Sequence, residues 1–265
     1  MARRARRPNK PRRNRLNTSF AAAEDEEGLV VPVRWVKFVV GIFLLAPCYI
    51  LTAAFFGALT HATARSFWAT AEFWFFGLGS VLWFIIYFGL PRPLVLYVFG
   101  HELTHALVVF LMGGKVSQFR VGRDGGHIVS SKINTWIALA PYFIPIYSVL
   151  VIGLYGLVSL LFDLSPYQEI ADGVLYGLVG LTWAFHATFT LSMIPRGQSD
   201  LAYGGTFFSL TIIYLMNLLL LSFLLILATP LVSFAGFLKE LWVHAEIFAV
   251  DAGHFFELLL RAAGV

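Results

Sequence analysis

Residues 94–112 read LVLYVFGHELTHALVVFLM. The stretch is nearly all apolar, with no proline and a single glycine, and is about the length of a membrane-spanning helix. Into it are set His101, Glu102 and His105. At about 3.6 residues per turn, His101 and His105 lie one turn apart on the same helix face. Two imidazoles at that spacing can hold one zinc ion, and Glu102 falls beside them, placed to take a proton from a water. Acidic side chains at membrane depth cost roughly 2.5–3.5 kcal/mol each on insertion scales. Two histidines and a glutamate are therefore not idle passengers in such a helix.

The rest of the chain has the same character. Of 265 residues, 58% are hydrophobic and 13% charged, against about 25% charged in an ordinary soluble domain. Further apolar runs of spanning length cover 36–60, 73–90, 137–162, 173–194 and 206–227. The expected fold is an all-α polytopic integral membrane protein of about six transmembrane helices, multi-pass in a lipid bilayer. The lone Cys48 excludes an intramolecular disulfide and a multi-cysteine zinc site.

Between 113 and 134 the helical pattern stops. Residues 116–121 (VSQFRV) suit a strand, 122–126 (GRDGG) a turn, and 127–130 (HIVS) a return strand. A small β-hairpin is expected straight after the histidine-bearing helix, with His127 a polar strand residue.

Residues 1–32 open with MARRARRPNKPRRNR, which holds eight of the 19 basic residues and no acid. They read as a disordered basic tail of cytosolic type, a topology signal drawn to anionic lipid. No aromatic residue alternates with these arginines, so nucleic acid is not an expected partner. Residues 33–230 form the membrane-embedded domain. Residues 231–265 mix Phe, Leu and Trp242 with charged residues and suggest an amphipathic helix, lying at the interface or packed on the bundle. His244 and His254 there belong to its polar face.

Loop charge bears on orientation. The basic 113–135 loop belongs in the cytosol and the acidic 163–172 loop outside. A cytosolic tail followed by two full spans would run the His101 helix the opposite way. Either 73–90 is re-entrant, or the tail is not cytosolic.

A catalytic zinc site of this type takes a third protein ligand and keeps its fourth position open. Two acids are candidates: Asp200, just after the span ending near Ile194, and Glu169, in a short polar loop on the opposite membrane surface.

The histidine pair within an apolar helix, the hairpin, and an Asp downstream of a Pro resemble the site-2 protease family of intramembrane zinc metalloproteases. The likeness covers about residues 94–205. The family's third ligand lies in N-x-x-P-x-x-x-L-D-G. Pro195 and Asp200 keep the Pro-to-Asp spacing, while Ser192, Ser199 and Leu201 replace the Asn, Leu and Gly. Residues 138–141 (ALAP) with Asn134 are similar to the family's small-residue segment after the hairpin. No stretch is left for the PDZ domain that some members carry. The resemblance implies Zn2+ held by His101, His105 and Asp200, with Glu102 as general base, hydrolysing peptide bonds of a transmembrane protein substrate. Gly100, Gly113, Gly114 and the hairpin are expected to line a water path, and a hairpin edge to hold unwound substrate. His186 is expected to be a packed helix-interface histidine, with orienting a ligand or substrate as the alternative; Gln198 and Ser199 are candidates to hydrogen-bond near the site, and Asn217 to make an interhelical hydrogen bond. Two other readings stand beside this one. One is a metalloprotease acting on soluble or lipidated peptides with Glu169 as ligand; the other is a non-catalytic membrane scaffold or metal-binding protein that retains the motif.

Overall fold

The computed structural model describes residues 33–123, 125–229 and 231–264; the basic tail lies outside these. Ten helices and one hairpin are found among them. Helices α1 (Val33–Phe43) and α2 (Leu45–Ala64) follow each other almost without a break. Helix α3 is Ala71–Gly89, begun by Thr70, whose hydroxyl accepts from the Phe73 amide. Helix α4, Leu94–Leu111, starts directly after the helix-incompatible Pro91-Arg92-Pro93. The hairpin pairs β1 (Val116–Gly122) with β2 (Gly125–Ser130), antiparallel, from Val116 opposite Ser130 to Gly122 opposite Gly125.

The 137–162 run, expected as one span, is broken. It divides into α5 (Thr135–Leu139), a 3-10 turn (Ala140–Tyr142) and α6 (Ile146–Leu161), with a bend of 79°. Pro141 and Pro145 explain the break, since each removes a backbone donor and crowds the preceding turn. Helix α7 (Gln168–Met193) ends in a 3-10 turn at Pro195, and Gly197 then reverses the chain with φ 73°. A short α8 (Ser199–Gly204), the long α9 (Thr206–Ala228) and α10 (Phe234–Ala262) complete the chain. Five helical stretches are long and apolar enough to cross a membrane, or six with the bent pair counted as one. Large apolar side chains such as Leu160, Leu111 and Phe88 point outward, at 85%, 84% and 76% exposure. In water that surface would drive aggregation; against lipid it is the expected exterior.

Helices α3 and α7 run parallel in close contact. Phe75 packs on Gly173, Trp83 Nε1 donates to Thr188 (2.8 Å), and Tyr87 meets Phe189 edge-on. A Cβ at Gly79 would collide with the Gly177 carbonyl, and one at Gly180 with the Phe76 carbonyl. Glycine at both positions is what lets the two backbones touch, the usual means of helix association in lipid. Residues 73–90 therefore fall almost wholly within one unbroken helix, Ala71–Gly89, packed along α7 and long and apolar enough to cross a membrane. Helix α9 runs parallel to α1 and α2, with Phe207 at Gly41 and Tyr214 hydrogen-bonded to Thr52 (2.7 Å). Helix α10 packs antiparallel on α2, from Glu240 beside His61 (3.2 Å) to Phe248 against Tyr49; beyond Val250 it is exposed. His244 stands 3.8 Å from Glu240 and His254 is exposed.

Candidate metal centre

The α4 face carrying His101 and His105 turns into the bundle, and both are almost wholly buried. Their Nε2 atoms lie 3.2 Å apart. Asp200 reaches them from α8: its Oδ2 is 3.2 Å from His101 Nε2 and 3.6 Å from His105 Nε2, and the residue is 1% exposed. This is the one group of three metal-ligating side chains found together among the described residues. Ligand atoms held about 2.0–2.2 Å from an ion at tetrahedral angles stand about 3.3–3.6 Å from one another. The three observed separations fall at or beside that range.

The tautomer of His105 sharpens the point. Its Nδ1 lies 2.7 Å from the Ile137 carbonyl, which can only accept, so Nδ1 carries the proton. In the neutral ring Nε2 can then only accept or ligate, and it faces His101 Nε2 at 3.2 Å and Asp200 Oδ2 at 3.6 Å in a buried site. Imidazole nitrogens and a carboxylate converging in low dielectric suit a cation. The donor set of two imidazoles and a carboxylate suits a borderline divalent ion.

Glu102 is 1% exposed, and its Oε1 has no hydrogen-bond partner among the described residues. A buried carboxylate oxygen without a partner is rare, and it recurs where a group must take up or give back a proton. Its covering is the hairpin: Gly126 of β2 lies against the Glu102 side chain.

The second rank of polar groups was only partly foreseen. Tyr97 OH is 3.3 Å from His101 Nδ1. Tyr142, fully buried at the bend before α6, donates its hydroxyl to Asp200 Oδ2 (3.0 Å). Asn217 makes the expected interhelical bond, and its acceptor is the Tyr142 carbonyl (2.9 Å). His186 Nε2 has no partner among the described residues, and the ring lines a chamber of about 20 Å³ beside His101. Ser199 Oγ is 3.4 Å from Asp200 Oδ1, and Gln198 is buried just before it. No sequence signal singles out Tyr97, Tyr142 or Ile137. Tyr97 lies one turn before His101 on α4, whereas the places of Tyr142 and Ile137 become visible only once the 135–145 break is known.

Glu169 is exposed in the first turn of α7. About 36 Å of helix, at 1.5 Å per residue, separates it from the α7 end that leads to Asp200. It takes no part in the site. Gly100 lines the small chamber beside His101, where a Cβ would stand 2.7 Å from the Tyr147 ring; Gly114 is packed on Val109.

Comparison with family models, curated proteins and solved structures yields no match to this chain.

Proposed function

We propose that this protein is an intramembrane zinc metallopeptidase that hydrolyses peptide bonds of membrane-spanning substrates. The observation that carries the reading is the pairing of a buried His101–His105–Asp200 cluster with the partnerless Oε1 of Glu102 next to it. Zinc, when bound by these three side chains, supplies Lewis acidity towards a carbonyl and lowers the pKa of water towards 7. Glu102 accepts the proton of the attacking water and returns it to the leaving amine. The Ile137 carbonyl accepts from His105 Nδ1 and so fixes the ring's orientation and tautomer, with Nε2 turned towards His101 and Asp200. A substrate helix hides its amides in its own hydrogen bonds and must unwind locally to be cut. Among the described residues strand β1 pairs only with β2, and Ser117–Arg120 are exposed on it. Its outer edge offers backbone groups to such an unwound segment by strand addition.

The likeness to site-2 proteases agrees with this reading in motif, order and the Pro195-to-Asp200 interval. The test is Glu102→Gln in protein reconstituted into liposomes with single-span substrates. Cleavage should fall about 10²- to 10⁴-fold while bound zinc stays at the wild-type level. Undiminished cleavage would remove Glu102 from the chemistry. Zinc-loaded wild-type protein that cuts none of a broad panel of single-span substrates would favour a metal-binding scaffold.

A further inference from the structure

Asp200 is presented by a short helix, not by a rigid long one. Helix α8 has six residues and lies between two positive-φ glycines, Gly197 at 73° and Gly205 at 87°. Backbone alone therefore does little to aim the carboxylate. Of its side-chain contacts, that from Ser199 to Oδ1 is long at 3.4 Å. The Tyr142 hydroxyl donates at 3.0 Å to Oδ2, the oxygen that faces both imidazoles.

Tyr142 is itself held on every side. Its side chain is fully buried. Its carbonyl accepts from Asn217 of α9. Its ring meets His101 edge-on, with centroids 5.4 Å apart and planes at 89°. One residue at the bend thus joins α4, α8 and α9 around the candidate ligands. A hydroxyl so restrained, directed at one carboxylate oxygen, has the form of the outer hydrogen bonds that orient metal-binding carboxylates.

We propose that Tyr142 is a positioning residue of the metal centre, whose hydroxyl fixes Asp200 Oδ2 in ligating orientation. The inference rests on the reading of His101, His105 and Asp200 as a metal site. It leaves Asp200 as ligand and gives Tyr142 no contact with substrate or metal. Loss of the hydroxyl leaves the three donors in place but lets the carboxylate rotate, so metal affinity falls without loss of the fold.

The test is Tyr142→Phe in the full chain, with zinc affinity measured by chelator competition. Affinity should drop about 10- to 100-fold. The absorption spectrum of the cobalt-substituted protein should change, while thermal unfolding of the metal-free protein should match wild type. Affinity within twofold of wild type, with an unchanged cobalt spectrum, overturns the proposal. Wild-type protein that binds no zinc overturns the metal reading itself, which separates the two failures. Should Tyr142→Phe not fold, Asn217→Ala loosens the same residue through its carbonyl. Weaker zinc binding is then expected, and unaltered affinity overturns the proposal.

Discussion

Gly126 of the hairpin presses directly on Glu102: a Cβ at 126 would lie 2.6 Å from Glu102 Cγ and 2.8 Å from both the Arg120 carbonyl and Val98 Cγ1. Glycine here is needed for room and not for backbone freedom. The hairpin is thereby seated against the residue assigned to proton transfer. Gly126→Val should push strand and glutamate apart. A displacement of about 1 Å at a catalytic group can lower rate about 10²-fold. Substrate cleavage should fall to that extent with zinc content unchanged, and a wild-type rate would show that the contact has no bearing on Glu102.

The two acids considered for the third ligand are separable by metal content. Asp200→Ala should weaken zinc binding more than about 100-fold, beyond the effect of losing an outer-shell partner. Glu169→Ala, altering an exposed residue at the far end of α7, should leave zinc stoichiometry at wild type. Elemental analysis of the purified variants decides between them; full zinc occupancy in Asp200→Ala would return the question to the sequence.

Metal removal should cost stability. With free zinc at about 1,000 times its dissociation constant, binding contributes about 4 kcal/mol to the folded state. A chelator should lower the unfolding temperature of the wild type and leave that of His105→Ala unmoved. An equal fall in both would mean that the chelator acts elsewhere.

The α3–α7 contact offers a test independent of the metal. Gly79→Leu introduces side-chain atoms where the Gly177 backbone already stands. Overpacking of this kind costs typically 1–3 kcal/mol, and more where backbone must move. Gly153→Ala is the control, since a Cβ there meets nothing within 4 Å. Thermal unfolding in detergent should separate the two, and equal stability would deny the close approach.

Much of this was readable in the sequence, for reasons of local chemistry. The His101–His105 interval fixes two rings on one helix face whatever surrounds them. The glycine-rich turn at 122–126 sets the hairpin, and Pro195 stops α7 before Asp200. The bend at 140–145 was less legible. Pro141 and Pro145 lie inside an apolar run of spanning length, and the run by itself reads as one span. Tyr142 could not be picked out among ten tyrosines, because its role depends on where that bend places it. The parallel α3–α7 pair was hidden for a similar reason. Gly79 and Gly180 lie a hundred residues apart, and which glycines meet is a matter of tertiary packing.

That parallel pair fixes a parity. Two neighbouring helices pointing the same way require the chain between them to return to its starting end. Between Gly89 and Gln168 there must be one net traverse of the bundle. Helix α6 lies antiparallel to α7, with Ser148 at Thr182 and Tyr155 at Asp172, and it leads to the end where α7 begins. Helix α4 stays towards the other end. Tyr97 stacks on Phe189, and Val108 and Val109 join the cluster of Leu201 and Ile212 around the α7–α9 turn. The broken 135–161 element therefore supplies the net traverse of the bundle, and the contacts of the histidine helix with α7, α8 and α9 gather at the end where α7 finishes. Arg34, Lys37, Arg92, Arg196 and the basic hairpin all gather at that side, while Glu72, Asp163, Glu169 and Asp172 lie at the opposite one. These basic and acidic groups are thus sorted to opposite ends of the helix bundle, the pattern that the positive-inside rule expects of the two sides of a membrane.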